Sequence, residues 1–379
     1  MDLQNTLARL QQQNAFGAVA LNPITQFGAN GQPYRGAEIL PERIVRRNAY
    51  TESGIRYRTV IANDGGRYSP AQKKSGGLYV GSFDVSVGNS DIASDFTGND
   101  YDAVLEMLEL AGNVDAVPQP VAAAVVGWSQ SALNLALVEH NEKQRWQAIV
   151  DAEVIREGDN GASETVKYPN PDGHRVAAGG DWSDPTYNIL GDLLARKRFM
   201  AKKGFTLNRA YCSTEVLGVM LQNESLAKAA GRSVITVQAN GSLQQSASAF
   251  TEADLNTLLG ANGLPSVTTY DRTYFKDDGT TERFLKRDVF VMVATTGRNE
   301  NVSLIYAPNT QLPFKPIGNT LGYVAIGRAV GQRDQGRVLR IEAKDNKPPR
   351  LEGEGWQSSL PVLTEADALT VIDSITLPA

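Results

Sequence analysis

Two runs decide how this chain is read: Ile55-Arg56-Tyr57-Arg58-Thr59-Val60-Ile61, and Tyr79-Val80-Gly81-Ser82-Phe83-Asp84-Val85-Ser86-Val87. In the first, Ile55, Tyr57, Thr59 and Ile61 alternate with Arg56 and Arg58. In the second, Tyr79, Phe83, Val85 and Val87 alternate with Ser82, Asp84 and Ser86. A period of two predicts two strands, each with one polar face. Between them lie Asn63-Asp64-Gly65-Gly66, Pro70, Lys73-Lys74 and Gly76-Gly77, a wide polar tip. Ordinary hairpin loops have about 2–5 residues, so a tip this long does not suit a compact domain. It suits a hairpin that projects and packs on another chain, the first sign of an assembly protein.

The segment before this hairpin points the same way. Leu3, Leu7 and Leu10 form a short amphipathic turn, and then Pro23, Gly28, Gly31, Pro33, Gly36 and Pro41 interrupt every few residues. Residues 1–50 are therefore expected to bury no core of their own and to be either flexible or ordered by lying on something else.

The whole chain has 379 residues, 41% hydrophobic and 21% charged, with a net charge of −5. That is core enough for a stable fold and too acidic for a protein whose task is gripping phosphates. One cysteine, Cys212, forms no intrachain disulfide, and two histidines, His140 and His174, are too few for a three-histidine metal site. The N-terminus lacks the basic start and apolar core of a signal peptide. The longest apolar runs, such as 121–128, fall far short of the roughly 20 residues that span a bilayer. The expectation is a soluble protein kept where it is made, without cofactor, metal or membrane contact.

Beyond the hairpin, residues 100–110 read as a helix stopped at Gly112-Asn113. Pro118 and Pro120 open a longer one, with Val121, Val125, Trp128, Ala132, Leu135 and Ala136 near one face. It is expected to run on through Trp146, Ile149 and Val154 to about residue 156, with Glu139, Glu142, Lys143 and Arg145 as a polar patch. Unbroken, it spans roughly 50 Å, the length of a strut; the alternative is two helices with a break near Asn141. Residues 157–181 read as loop. Asp184-Pro185 reads as a helix start, with Ile189, Leu190, Leu193, Leu194 and Phe199 as its buried stripe and Lys202-Lys203-Gly204 as its end. A strand from Arg209 to Ser213, a helix from Thr214 to Asn223, and a helix capped by Thr251 and Asp254 follow. Strands at 266–274 and 283–295 are joined by the turn Lys276-Asp277-Asp278-Gly279, and 302–379 reads as short strands.

Catalytic signatures are sparse. Gly127-Trp128-Ser129-Gln130-Ser131 resembles part of a nucleophile elbow, but Ser131 stands where glycine belongs and the segment is helical, so Ser129 reads as a helix-surface serine. Ser225-Leu226-Ala227-Lys228 matches Ser-x-x-Lys without the companion motifs. A hydrolase using Ser129 or Ser225 is thus a minor alternative, and no catalytic residue is assigned. Cys212 reads as a small buried hydrophobe. His140 and His174 read as ordinary loop or surface residues, either of which could titrate and tune assembly.

The order of these parts resembles tailed-phage major capsid proteins, most nearly the lambda-like major capsid protein E family, whose fold is Hong-Kong-97-like. The resemblance is carried by Trp182-Ser183-Asp184-Pro185, Lys203-Gly204-Phe205, Ser213-Thr214-Glu215 and Pro265-Ser266-Val267-Thr268-Thr269-Tyr270-Asp271 with the Gly-containing hairpin after it. It extends from about residue 40 to the end.

The resemblance implies an α+β fold with residues 1–50 as an N-terminal arm and 51–87 as an extended β-hairpin loop. Residues 88–181 would be a peripheral domain with a spine helix, 182–325 an axial domain, and 326–379 the return to the peripheral domain. It implies a major capsid protein that self-assembles into hexamers and pentamers, forming the icosahedral head around a double-stranded DNA genome. The implied location is the virion, after assembly in the host cytoplasm. The implied partners are many copies of itself with portal, scaffolding and decoration proteins, and the enclosed DNA is not read by sequence. Candidate inter-subunit contacts are Leu3, Leu7 and Leu10 on the arm and Arg56, Arg58, Arg67, Tyr68, Lys73, Lys74 and Tyr79 on the loop. Some relatives crosslink a loop lysine to a neighbour's asparagine; Lys73 and Lys74 lie in that segment, but no such chemistry is expected here. An encapsulin-like compartment shell is the alternative on the same fold. Because the chain starts at Met1, no cleaved scaffolding domain is expected within it. Obligate contacts of this type bury about 2,000–5,000 Å², enough apolar area to hold a shell without covalent bonds. An acidic subunit also suits a container that must not grip the DNA it encloses.

Overall fold

The computed structural model describes residues 34–57, 78–110, 118–157, 163–237, 243–247, 250–276, 278–294, 303–306, 315–316, 321–344 and 350–378. The chain separates into two compact units.

The first unit draws its described residues from 34–50, 84–145 and 323–362. Its sheet is ordered Glu42–Ile44, Gly322–Ile326, Arg350–Leu363, Val338–Lys344, and Gly88–Phe96 also pairs with Arg350–Leu363. The long strand alternates strictly at its start: Leu351, Gly353 and Gly355 are buried, while Arg350, Glu352 and Glu354 are not. The pleat therefore gives one charged face and one face turned to a helix. Arg340, Glu342, Lys344, Glu352 and Arg350 form an ion-pair ladder across the charged face.

The helix on the other face has three parts: Pro118–Trp128, a π segment Ser129–Leu135, and Ala136–Val150, whose last turn from Trp146 belongs to the second unit. The π segment lies where serine hydroxyls compete for carbonyls. Ser129 Oγ donates to Val126 O (2.8 Å), and Ser131 Oγ donates to Gly127 O (2.8 Å) and Trp128 O (3.2 Å). Such back-bonding bends helices, and a π segment absorbs one extra residue without ending the run. The break therefore falls at 129–135 and is not a stop near Asn141. The helix also ends at Val150 and not near residue 156. Ala152 adopts φ 56°, turning the chain into the strand Glu153–Glu157, so Val154 is a strand residue.

Residues 34–50 correct the expectation that the first fifty residues bury nothing within their own chain. Tyr34, Ile39 and Leu40 are buried, and the turn Arg35–Ile39 packs within the first unit. Three closely spaced apolar residues were enough once a helix face was available to receive them.

The second unit is built on a five-stranded sheet ordered Val267–Thr269, Arg209–Cys212, Phe290–Val293, Leu369–Asp373, Arg175–Ala177. Its outer pairs are parallel and its inner pairs antiparallel. Phe290–Val293 is buried at every position, as a central strand covered on both faces must be. Trp146 stacks on Tyr270 at 5.3 Å and meets Tyr211 edge-on at 5.9 Å.

Several local readings hold. Ser213 caps Thr214–Gln222, and Thr251 with Asp254 forms a full capping box on Glu252–Ala261. Gly204, at φ 83°, closes the helix Ile189–Lys202 in a conformation L side chains rarely adopt. Others change. Asp184 does not open that helix: its carboxylate takes the Thr186 N–H and hydroxyl in a local turn, and Asn188 accepts from the Gly191 N–H as the cap. Residues 157–181 contain strands, Ser163–Lys167 paired with Glu153–Glu157 and Arg175–Ala177 in the main sheet. The predicted strand 266–274 is split around buried Tyr270, and 283–295 is split between Thr281–Arg283 and Phe290–Val293. The hairpin carrying the Lys276 turn is thus separate from the sheet. Nor is the C-terminal part all short strands, since Arg350–Leu363 runs for 14 residues.

The quoted hairpin is longer at its base than predicted. Its strands are Ala49–Tyr57 and Leu78–Ser86, neighbours in a sheet with Ser303–Tyr306 and Lys315–Pro316. Its tip, residues 58–77, lies outside the described residues, as do Leu3, Leu7 and Leu10.

The helix seats on the sheet through Gly353, where an added Cβ would lie 2.6 Å from the Trp128 ring and 2.7 Å from Leu133. Gly353→Ala is expected to lose about 1–3 kcal/mol, read as a lower urea midpoint. Gly355→Ala, whose Cβ would meet its neighbours at 3.1–3.4 Å, should lose less; equal midpoints for both variants would contradict this seating.

Candidate functional site

The most elaborate side-chain constellation in the first unit lies under its helix. Asn141, Glu142 and Arg145 project from one side of Ala136–Val150, and all three are buried. Arg145 Nε donates to Leu40 O (2.9 Å), and its NH1 donates to Glu142 Oε2 (3.1 Å). Glu142 Oε1 accepts the Gly36 N–H at 2.8 Å. Glu42 Oε1 receives Asn141 Nδ2 (3.0 Å), Arg145 NH2 (3.5 Å) and Arg337 NH2. Gln357 accepts from Arg337 Nε (2.9 Å) and donates to Leu137 O (3.0 Å) and Asn141 Oδ1 (2.9 Å); Ser359 donates to the same Asn141 oxygen (2.8 Å).

Two carboxylates thus face two guanidiniums, so the cluster brings no net charge into the interior. Burial pushes the Arg337 guanidinium below its usual value, opposed by Glu42. Each carboxylate is held by guanidinium donors, Glu42 by Arg145 and Arg337 and Glu142 by Arg145. The cluster ties the turn at 35–40, the strand Glu42–Ile44, the helix and the long strand into one body. The predicted polar patch is corrected here: Glu142 and Arg145 point inward, because their partners neutralise them.

A second centre lies in the second unit. His174, predicted as an unremarkable loop residue, is fully buried. Leu369 O can only accept, so Nδ1 carries the proton and donates to it at 2.6 Å. In the neutral ring Nε2 then accepts from Lys203 Nζ at 2.6 Å, with Asp367 Oδ1 at 3.8 Å. Thr370 Oγ1 and Val371 N–H both donate to the His174 carbonyl. Burial lowers the His174 pKa; Lys203 and Arg175 add to the lowering, while the Leu369 carbonyl and Asp367 oppose it. Beside it, Arg175 donates to the Ile149 and Val150 carbonyls at 2.8 Å each, capping the helix end, and burial pushes it down to about 10.

Of the predicted contact residues, Arg56 lies opposite Ser303 in the strand Ala49–Tyr57, and Tyr79 lies in Leu78–Ser86. Arg58, Arg67, Tyr68, Lys73 and Lys74 fall outside the described residues with Leu3, Leu7 and Leu10. Ser129 is buried, a correction to its reading as a surface serine, because its hydroxyl satisfies Val126 O. Ser225 sits on Glu224–Ala229, where Lys228 pairs with Glu224 at 3.0 Å. Cys212 is buried in its strand, and desolvation raises its thiol pKa. Among the described residues, no cluster of His, Cys, Asp or Glu is placed to hold a metal ion, and no helix is long and apolar enough to cross a membrane.

Sequence reading missed Glu42, Arg337, Gln357 and Ser359 as one group. Only Asn141, Glu142 and Arg145 gave a signal, as polar residues interrupting the apolar run Leu137, Val138, Trp146 and Ile149.

A prophage protein of E. coli CFT073, described as a capsid protein, superposes with TM-score 0.54 over 99% of this chain and 99% of its own, at 12% identity. The mature capsid of bacteriophage PhiM1 gives TM-score 0.46 at 11% identity, over 91% of this chain and 87% of that one. The SrpI encapsulin of Synechococcus elongatus PCC 7942 gives 0.42 at 9% identity, over 97% and 95%. No curated protein matches the chain by sequence. The fold is that of a capsid-shell subunit of the Hong-Kong-97-like class. A model of phage major capsid protein E matches residues 108–371, and the chain belongs to that family. It is a capsid-forming structural protein of a tailed phage, it self-assembles, and its place is the virion capsid.

Two outcomes follow for the centres. Glu42→Gln leaves Arg337 and Arg145 short of a buried countercharge, so denaturant unfolding should show a loss of about 3–5 kcal/mol; a loss under about 1 kcal/mol would mean the cluster is not buried as described. His174 is held neutral in the fold while the unfolded chain takes up a proton near pH 6.5. Stability is therefore whole above that pH and declines below it, by at most about 1.4 kcal/mol per pH unit. Melting temperature followed from pH 8 to pH 5 should fall at the acid end, and His174→Gln should flatten that part of the curve.

Proposed function

We propose that this chain is the repeating subunit of a tailed-phage head, assembling as hexamers and pentamers around double-stranded DNA in the host cytoplasm. Portal, scaffolding and decoration proteins join it there, and it performs no catalysis. The carrying observation is the family match over residues 108–371, which spans the helix, the His174 centre and nearly all of the five-stranded sheet.

Within this reading, residues 1–50 act as the arm, 51–87 as the extended loop, 88–181 with 326–379 as the peripheral domain and 182–325 as the axial domain. Leu3, Leu7 and Leu10 with Arg56, Arg58, Arg67, Tyr68, Lys73, Lys74 and Tyr79 make contacts between subunits. Burial of Tyr34, Ile39 and Leu40 in the first unit supports an arm that is anchored on its own subunit at residues 34–40.

Electron microscopy of the purified full chain should show closed shells tens of nanometres across. Deleting residues 63–76 should leave a subunit with unchanged circular dichroism and melting that no longer closes shells. A deletion variant that unfolds as a monomer would make the loop part of its own core. Wild-type protein that stays monomeric would overturn the reading, and shells isolated from infected cells with protein cargo in place of DNA would overturn the genome role.

A further inference from the structure

The sheet of the first unit ends on two long strands that each have a single neighbour. Among the described residues, Gly88–Phe96 and Val338–Lys344 pair only with Arg350–Leu363. Residues 351–356 pair with both, so the two strands lie on opposite edges of it. Each edge leaves a row of backbone N–H and C=O groups turned away from the sheet, a template that another chain can extend. Gly88–Phe96 pairs residue for residue through nine positions, with neither the bulge nor the Pro or Lys that commonly closes an edge.

The register puts the charges of both edges on one face. Arg340 stands opposite Glu354, which stands opposite Ala93; Glu342 stands opposite Glu352, which stands opposite Asp95. Side chains two residues apart share a face. Arg340, Glu342 and Lys344 therefore line one edge, and Asp91, Ala93 and Asp95 line the other, on the same side of the sheet. Asp91, Ala93, Asp95 and Arg340 are exposed. Asp95 lies 3.7 Å from Arg350, Arg340 and Lys344 flank Glu342, and Asp91 has no ion pair among the described residues. Exposed pairs of this kind are weak, so they yield to a better-matched partner. On the other side of the sheet the two edges carry Ile341 and Ile92.

We propose that the edge Val338–Lys344 of one copy pairs with the edge Gly88–Phe96 of a second copy, extending the sheet from subunit to subunit. The proposal rests on the shell-forming reading above. Both strands run antiparallel to Arg350–Leu363 and hence parallel to each other. Copies set side by side with the same face outward thus join these edges as parallel strands. One alignment puts Arg340 beside Asp91, Lys344 beside Asp95 and Glu342 beside Ala93, with Ile341 beside Ile92 on the opposite face. A slip of two residues either way sets Glu342 against Asp91 or Asp95, and a slip of one sends the charges to the wrong face. Two copies of Gly88–Phe96 facing each other would gather four carboxylates and no cation of their own. The contact is therefore between two different edges, head-to-tail, the kind that closes rings.

Within one chain, residues 93 and 342 lie on either side of an intervening strand, about 10 Å apart, too far for a disulfide; the proposed pairing makes them neighbours. Cys212 is buried and does not compete. Full-length Ala93→Cys/Glu342→Cys, assembled and then oxidised, should run on a non-reducing gel as a ladder of dimers, trimers and higher multimers, and neither single-cysteine variant should. Circular dichroism and melting under reducing conditions establish folding; where this variant fails to fold, Asn89→Cys/Val338→Cys in the same register replaces it. Arg340→Asp and Asp91→Arg should each lower the assembled fraction at least about tenfold by sedimentation, and the two together should recover most of it. Shells of the double-cysteine variant that stay uncrosslinked would overturn the proposal while leaving the shell-forming reading intact. Dimers from Ala93→Cys alone would overturn it too, by making the acidic edge pair with itself. Wild type that forms no shells would overturn this pairing together with the reading beneath it.

Discussion

Glu142, Arg145 and Arg337 sit together out of water with Glu42 at the margin of the cluster, on segments as much as 295 residues apart in the chain. Removing one member strands the others in a low-dielectric interior, where an unpaired charge costs several kcal/mol. The first unit therefore forms only when the turn at 35–40, the strand Glu42–Ile44, the helix and the long strand arrive together. An apolar contact of equal area would tolerate sliding. Directional bonds to Leu40 O, Leu137 O and the Gly36 N–H do not, so the cluster sets register as well as stability.

The helix above it solves a related problem of fit. Trp128 and Leu133 occupy the space that side chains at Gly353 would fill, and Ser129 and Ser131 draw carbonyls out of the ordinary ladder just there. A π segment lets residues 118–150 remain one run while the face presented to the sheet rotates. The sheet beneath answers with glycine where the helix comes closest and with charge on its far side. A subunit of a shell gains from such internal rigidity, because contacts repeated over many copies require each copy to present the same surface. Membership of the phage major capsid protein E family gives this internal rigidity its purpose in a protein that self-assembles.

Local signals were legible in the sequence wherever the cause was local. Thr251 and Gly204 act on backbone groups within four residues, so their cap and stop stand where predicted, and the helix after Ser213 starts at Thr214 as read. The alternation around Ile55 and Phe83 likewise marked two strands, because the pleat is a property of adjacent residues. Position-by-position reading failed where the decisive partner was remote. Asp184 looked like the helix cap until Asn188 took that place. His174 looked like a loop residue until Leu369 and Lys203 closed on it, and the outward-looking Glu142 and Arg145 turned inward to meet Gly36 and Leu40. By itself the sequence determined the locally capped helices, the alternating strands of the hairpin, the acidic balance and the family, which depend on composition and short-range order. Tertiary structure alone decided which charges are buried, since a guanidinium can leave water only when folding brings a carboxylate from elsewhere in the chain to within a hydrogen bond.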